Sequence, residues 1–171
     1  MSGLSAPDAD WPARLCKAAD PKSWILIGLG NQDRADDGFG IVLAEALIAD
    51  FPDRVFSEDR RSAEGVVLDV CDNPFIRAVL FLDAADFGGR PGDVRLFSSE
   101  NLSDFVPALS THKVPISILF GLLSTRGKHP FLLGVQPGSL DFLGLMSDPV
   151  QKTVETLTGM IRDVLGSYPL P

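Results

Sequence analysis

Three groups of polar residues carry the chemistry open to this sequence. Asp33, Asp36 and Asp37 lie in the stretch GNQDRADDGFG at residues 30–40, Asp83 and Asp86 follow the apolar run AVLFL, and His112 sits in STHK. Carboxylate, carboxylate and imidazole offered from three separate loops resemble a facial ligand set with open positions. Such a set suits nickel, zinc, iron or manganese rather than calcium. Each residue also has a plain structural use. Asp36 or Asp37 can cap the helix that follows, worth ~1 kcal/mol, and Asp83 can accept backbone amides at a strand end. His112 can be an exposed loop histidine, as His129 beside Pro130 is expected to be.

Two other chemistries fit the residues less well. Gly28-Leu29-Gly30 opens like a dinucleotide-binding loop, but Asp33 stands where a third glycine is required. Three aspartates would also face the pyrophosphate, whereas a phosphate cradle offers backbone N–H groups and no carboxylates. For nucleophilic hydrolysis there is no GxSxG, and Cys16 and Cys71 lie far from any Cys–His signature. Ser110 and Thr111 adjoin His112, but adjacent residues rarely aim at each other.

The elements that must position these groups read as alternating strands and helices. Residues 23–29 (SWILIGL) form a continuous apolar run ending in glycine, the pattern of a strand buried on both faces. Residues 30–40 are loop, and an apolar face at helical spacing then runs until Pro52. Residues 54–57 are a short strand, and 62–72 lean towards a helix capped by Ser62 and ended before Pro74. Residues 78–82 form a buried strand terminating at Asp83. A glycine-rich turn at 88–92 leads to an edge or antiparallel strand at 93–97.

A helix is expected over 114–123 with Pro115 in its first turn, then a strand over 131–135 closed by Gln136-Pro137-Gly138. In the last helix Asp148 caps, Pro149 takes the first position, and Val150, Val154, Leu157, Ile161 and Val164 form the stripe. The fold class expected is therefore α/β, a three-layer, twisted, mostly parallel sheet with helices on both faces. Residues 1–22 read as an N-terminal extension holding one short helix, and 23–171 as a single domain. Ligands of such sheets bind at the carboxyl ends of the strands, where the aspartates fall.

Composition bounds the partners. The 171 residues carry 15 Lys and Arg against 23 Asp and Glu, a net charge of −8. That balance excludes nucleic-acid binding, which needs cationic phosphate contacts, and no local basic run offsets it. Two cysteines outside any CxxC pair argue against a disulfide scaffold or a thiolate zinc site. No apolar run approaches the ~18–20 residues of a membrane span, and the N-terminus lacks signal-peptide character. A cytoplasmic protein is the expectation.

Four blocks, in order, resemble the hydrogenase maturation proteases, the endopeptidases that trim the large subunit of nickel–iron hydrogenase. Gly28-Leu29-Gly30-Asn31 followed by Asp36-Asp37-Gly38-Phe39-Gly40 is similar to that family's GxGNxxxxDDGxG opening. Leu82-Asp83-Ala84-Ala85-Asp86-Phe87-Gly88, with Arg90-Pro91-Gly92-Asp93 behind it, resembles its second block. Ser110-Thr111-His112-Lys113-Val114-Pro115 resembles its Thr-His loop, and Leu133-Gly134-Val135-Gln136-Pro137 its last strand. The segment 58–63 (EDRRSA) lacks the glycine-rich turn common in the family after the second strand.

The resemblance implies that Asp37, Asp83 and His112 are both the metal ligands and the catalytic residues. Asp36 is then left as a helix cap or a support, because neighbours on a helix point ~100° apart. It implies an endopeptidase that recognises nickel in the precursor of the [NiFe]-hydrogenase large subunit and removes its C-terminal peptide. The nickel is supplied by the substrate rather than stably bound, and other divalent ions can occupy the site in vitro. Only a correctly metallated precursor then seats its scissile peptide, so the metal acts as a proofreading signal. Hydrolysis would use water activated by the metal with a carboxylate as base. A monomer that meets its partner transiently is expected. The same ligands would equally serve a non-catalytic metal-binding maturation chaperone.

Overall fold

The computed structural model describes residues 10–104, 106–107 and 114–170. Its elements are α1 (Trp11–Ala18), β1 (Trp24–Gly28), α2 (Phe39–Ile48), β2 (Val55–Ser57), α3 (Ala63–Asp72), β3 (Ala78–Asp86), β4 (Val94–Ser98), β5 (Val106–Pro107), α4 (Ile116–Thr125), β6 (His129–Val135) and α5 (Asp148–Ser167). The sheet runs in the order β2-β1-β3-β6-β4, parallel except for β4, which is antiparallel to β6. The two-residue β5 adds an antiparallel rung to the far end of β3. The three-layer α/β expectation holds.

Strands apolar at every position need cover on both sides, and the helices supply it. Trp24, Leu26, Leu80, Leu82 and Leu133 face one way and pack with α1, α2 and α5; Ile25, Ile27, Val79, Phe81 and Leu132 face the other and pack with α3 and α4. Burying each such side chain contributes roughly 1.5–3 kcal/mol over leaving it exposed. The described part of the segment expected as an extension does hold one short helix. Its Trp11 and Leu15 are fully buried and join the first of these two cores.

Arg54 ties that segment to the rest. Its buried guanidinium donates to the carbonyls of Trp24 (3.4 Å), Leu165 (3.3 Å) and Tyr168 (2.6 Å), and to that of Pro21. Burial pushes its pKa down from the usual arginine range, yet every bond it makes is to a backbone oxygen.

Local expectations hold with three corrections. Ser62 caps α3, its Oγ accepting from the Gly65 N–H at 3.3 Å. The cap of α5 is Ser147 rather than Asp148, which places Pro149 second in the helix, and Leu165 is more deeply buried than Val164. Pro115 is the residue before α4, not part of its first turn. Finally, β3 does not stop at Asp83. Pairing with β1 ends at Leu82, but pairing with β6 continues to Ala84, and β5 carries the strand on to Asp86.

Candidate active site

The crossover from β1 to β2 passes through α2 on one face of the sheet, whereas the chain leaving β3 returns to β6 through α4 on the other. Loops that diverge in this way open a crevice at the carboxyl ends of β1 and β3. Two of the three predicted ligands border it. Leu29 N–H donates to the Leu82 carbonyl at 2.8 Å, so the chain leaves β1 level with the residue before Asp83.

Gly30 lies between the two acids. Its φ is +127°, a backbone conformation that favours glycine. A Cβ there would stand 1.9 Å from the Asp37 carbonyl oxygen and 3.7 Å from Asp83 Oδ1. The Asn31 N–H donates to that same Asp37 carbonyl at 3.1 Å, closing the loop on itself. Gly40 makes the second close approach: a Cβ would lie 1.9 Å from the Leu82 carbonyl. The start of α2 can therefore rest directly on the strand ends.

Asp36, Asp37 and Asp83 are all buried. Asp83 Oδ1 accepts from the Ala84 N–H at 2.8 Å, so the strand-end use considered for it is realised alongside its place at the crevice. Asp36 and Asp37 sit in a one-turn 3-10 helix, Ala35–Gly38, where successive side chains point about 120° apart. Asp36 turns away to the loop between β6 and α5. Its Oδ2 accepts from Gly138 N (2.7 Å), Ser139 N (2.9 Å) and Ser147 Oγ (2.8 Å), and its Oδ1 from Ser147 N (2.7 Å).

The expected helix-capping role of Asp36 is therefore replaced. Neither the short helix nor α2 has a side-chain cap bond, and Asp36 is a clamp on the loop 138–147. The Asp33 carbonyl adds a further tie, accepting from Leu143 N–H at 2.6 Å. On this clamped loop Phe142, Leu143 and Leu145 stand open to solvent.

The outer aspartates do other work. Asp33 and Asp86 are exposed. Asp86 Oδ1 accepts from Gln136 Nε2 (3.1 Å) and Gly88 N (3.1 Å), while Gln136 Oε1 accepts from Phe87 N (2.9 Å) and Gly89 N (3.1 Å). The segment 58–63 also reaches the site loop: Asp59 Oδ2 accepts from Gln32 Nε2 at 2.7 Å. Sequence reasoning missed both Gln136 and the clamp. A serine just before Asp148-Pro149 was the available signal for Ser147, since that is an N-cap position.

His112 lies outside the described residues. The described chain resumes at Val114, which borders a small cavity with Leu29, Glu58 and Glu64. Among the described residues no group of three His, Cys, Asp or Glu side chains is gathered as a metal site. At Gly30 it is the backbone carbonyl of Asp37 and the carboxylate of Asp83 that approach. As residue types the two acids are hard, anionic oxygen donors, a set that fits a divalent cation once a nitrogen donor is added. His129, at the opposite end of the sheet, is exposed as expected.

A small α/β domain with buried acids at its β1/β3 crevice is a defined class, and residues 66–164 match the HycI family, hydrogenase maturation protease. The chain belongs to the hydrogenase maturation protease family, a family of peptide hydrolases. It is 29% identical over 134 residues to the hydrogenase 3 maturation protease of Escherichia coli K12, covering 78% of this chain and 85% of that one. In structure it is similar to the [NiFe] hydrogenase maturation protease HycI from Thermococcus kodakarensis KOD1. There the TM-score is 0.69 at 29% identity, over 90% of this chain and 99% of that one. The endopeptidase HycI from Escherichia coli matches with a TM-score of 0.64 at 25% identity, over 86% and 96% of the two chains. Among the described residues no helix is long and apolar enough to cross a membrane.

Proposed function

We propose that this protein is the endopeptidase that reads nickel in the precursor of a hydrogenase large subunit and cuts off that precursor's C-terminal peptide. The observation that carries the reading is that two buried acids border Gly30 at the β1/β3 crevice, Asp37 through its backbone carbonyl and Asp83 through its carboxylate. Asp37, Asp83 and His112 would hold the nickel, which arrives with the substrate. When bound, it supplies a positive charge that orients and polarises the group to be cleaved.

The chain's own contribution is to bind and to position. Two buried carboxylates make the crevice attractive to a cation, yet with only three protein anchors the affinity for free metal is modest. A precursor that brings its own nickel ligands completes the shell, so docking of the scissile peptide becomes conditional on metal. A carboxylate within reach of the peptide also serves as the base that takes a proton from water. The apolar side chains of Phe142, Leu143 and Leu145, presented beside the crevice, support a protein as the substrate, because clustered exposed apolar groups mark protein contacts.

The test is mass spectrometry of a nickel-loaded and a nickel-free precursor incubated with the protein, with Asp83→Asn and His112→Ala beside the native chain. Loss of a C-terminal peptide only from the nickel-loaded precursor, abolished by either substitution, is the expected result. Complex formation without any mass loss would instead make the protein a metal-reading chaperone. Cleavage of the nickel-free precursor would overturn the proofreading role.

A further inference from the structure

The register of the sheet places a cation in the same row as the site's acid. Asp83 of β3 is paired with Gly134 of β6, and Gly134 with Arg95 of β4. All three therefore stand level across the sheet, and with strands about 4.8 Å apart Asp83 and Arg95 are about 10 Å from each other. Side chains level with one another in register share a face, so Arg95 lies on the α3/α4 side, the side of Val79, Phe81 and Phe97. Between the two charges the sheet is apolar. A Cβ on Gly134 would meet Ala85 Cβ at 2.7 Å and the Phe97 ring at 3.2 Å.

Arg95 is half-buried and held by rings rather than by acids. Its guanidinium lies 4.7 Å from the centroid of Phe87 and 6.0 Å from that of Phe97. No ion pair or hydrogen bond joins its side chain to another described residue. The nearby carboxylates are engaged elsewhere. Asp93 Oδ2 accepts from Arg90 N (2.9 Å), Asp86 Oδ1 from Gln136 and Gly88, and Asp83 Oδ1 from Ala84 N. A guanidinium pre-oriented by stacking, with no described residue on its planar fork of donors, is a receptor for a carboxylate. In a chain with a net charge of −8 its position beside an acidic site has a consequence for what can dock there.

We propose that Arg95 is a specificity-determining residue for the cleavage reaction: it binds a carboxylate of the precursor while the metal-bearing part docks at Asp37 and Asp83. The inference rests on the proposed function and names the substrate's polarity: cationic at one point and anionic about 10 Å away, roughly three residues of extended peptide. The carboxylate comes from an acidic side chain near the scissile bond or from the precursor's C-terminus.

Steady-state cleavage of nickel-loaded precursor by the native chain, Arg95→Met and Arg95→Lys tests it. Binding of each to a precursor made uncleavable at the scissile bond is measured in parallel. Arg95→Met is expected to raise KM and weaken binding about 10- to 100-fold while kcat changes less than about 3-fold, with Arg95→Lys recovering part of the loss. Replacing the acidic residues near the scissile bond by amides, or amidating the C-terminus, should weaken the native chain to the level of Arg95→Met in one arm. In that arm the substitution should have no further effect, which identifies the source of the carboxylate. Unchanged KM and binding in Arg95→Met, with native cleavage intact, would overturn the role of Arg95 and leave the proposed function standing. Absence of native cleavage would overturn the proposed function. The binding arm then still decides whether Arg95 holds the partner, unchanged binding in Arg95→Met overturning it.

Discussion

At the end of the sheet where the parallel strands begin, Arg54 and Lys128 are buried with backbone carbonyls as their partners. At the end where the strands finish, Asp36, Asp37 and Asp83 are buried instead. The first end is closed. Arg54 gathers oxygens from residues 21, 24, 165 and 168, and Lys128 Nζ donates to Asn73 (2.5 Å) and Ile76 (2.7 Å). Burial, followed by the charge of Arg77, pushes the Lys128 pKa down. At the second end Asp36 is saturated by four donors of the loop 138–147, and Asp83 accepts from the Ala84 N–H. Asp37 and Asp83 also border a glycine at the crevice. Buried charge wrapped by backbone holds a fold together; buried charge gathered at diverging strand ends is placed for a ligand.

The comparison breaks first at Arg54. Arg54→Met strands several buried carbonyls at once and should cost about 3–4 kcal/mol of stability, read by chemical denaturation. The proposed nickel-dependent cleavage should persist in the molecules that remain folded, because nothing at the crevice is touched. A variant as stable as the native chain would mean that the closed end is not a structural tie.

A smaller effect separates the neighbouring acids. Asp36→Asn turns an amide N–H towards the Ser147 N–H and should lower stability by about 2 kcal/mol while divalent-metal binding survives. Asp37→Asn should abolish metal binding, as isothermal titration would show. Equal loss of metal binding in both variants would erase the division between clamp and ligand.

Much of this architecture is legible in the chain itself. The continuous apolar runs of β1 and β3 announce a sheet covered on both faces, and the stripe from Val150 to Ile161 announces a helix packed along one side. The DD pair and the strand-end Asp83 are equally visible. What stayed hidden depends on partners distant in sequence. Asp36 looks like a helix cap, because capping is local. Its real donors lie 102 to 111 residues away. The extension of β3 to Asp86 likewise comes from β6 and β5 and not from the residues DAAD themselves. Arg95 carries no motif at all; only the register that sets it level with Asp83 gives it significance.

The central claim is that one divalent ion is held by Asp37, Asp83 and His112. A crystal soaked in cadmium and measured at its anomalous signal tests that most directly. A single strong peak is expected in the β1/β3 crevice in contact with both carboxylates and the imidazole, and no ion on Asp36. A peak bound through Asp36, or one that leaves out Asp83, would contradict it.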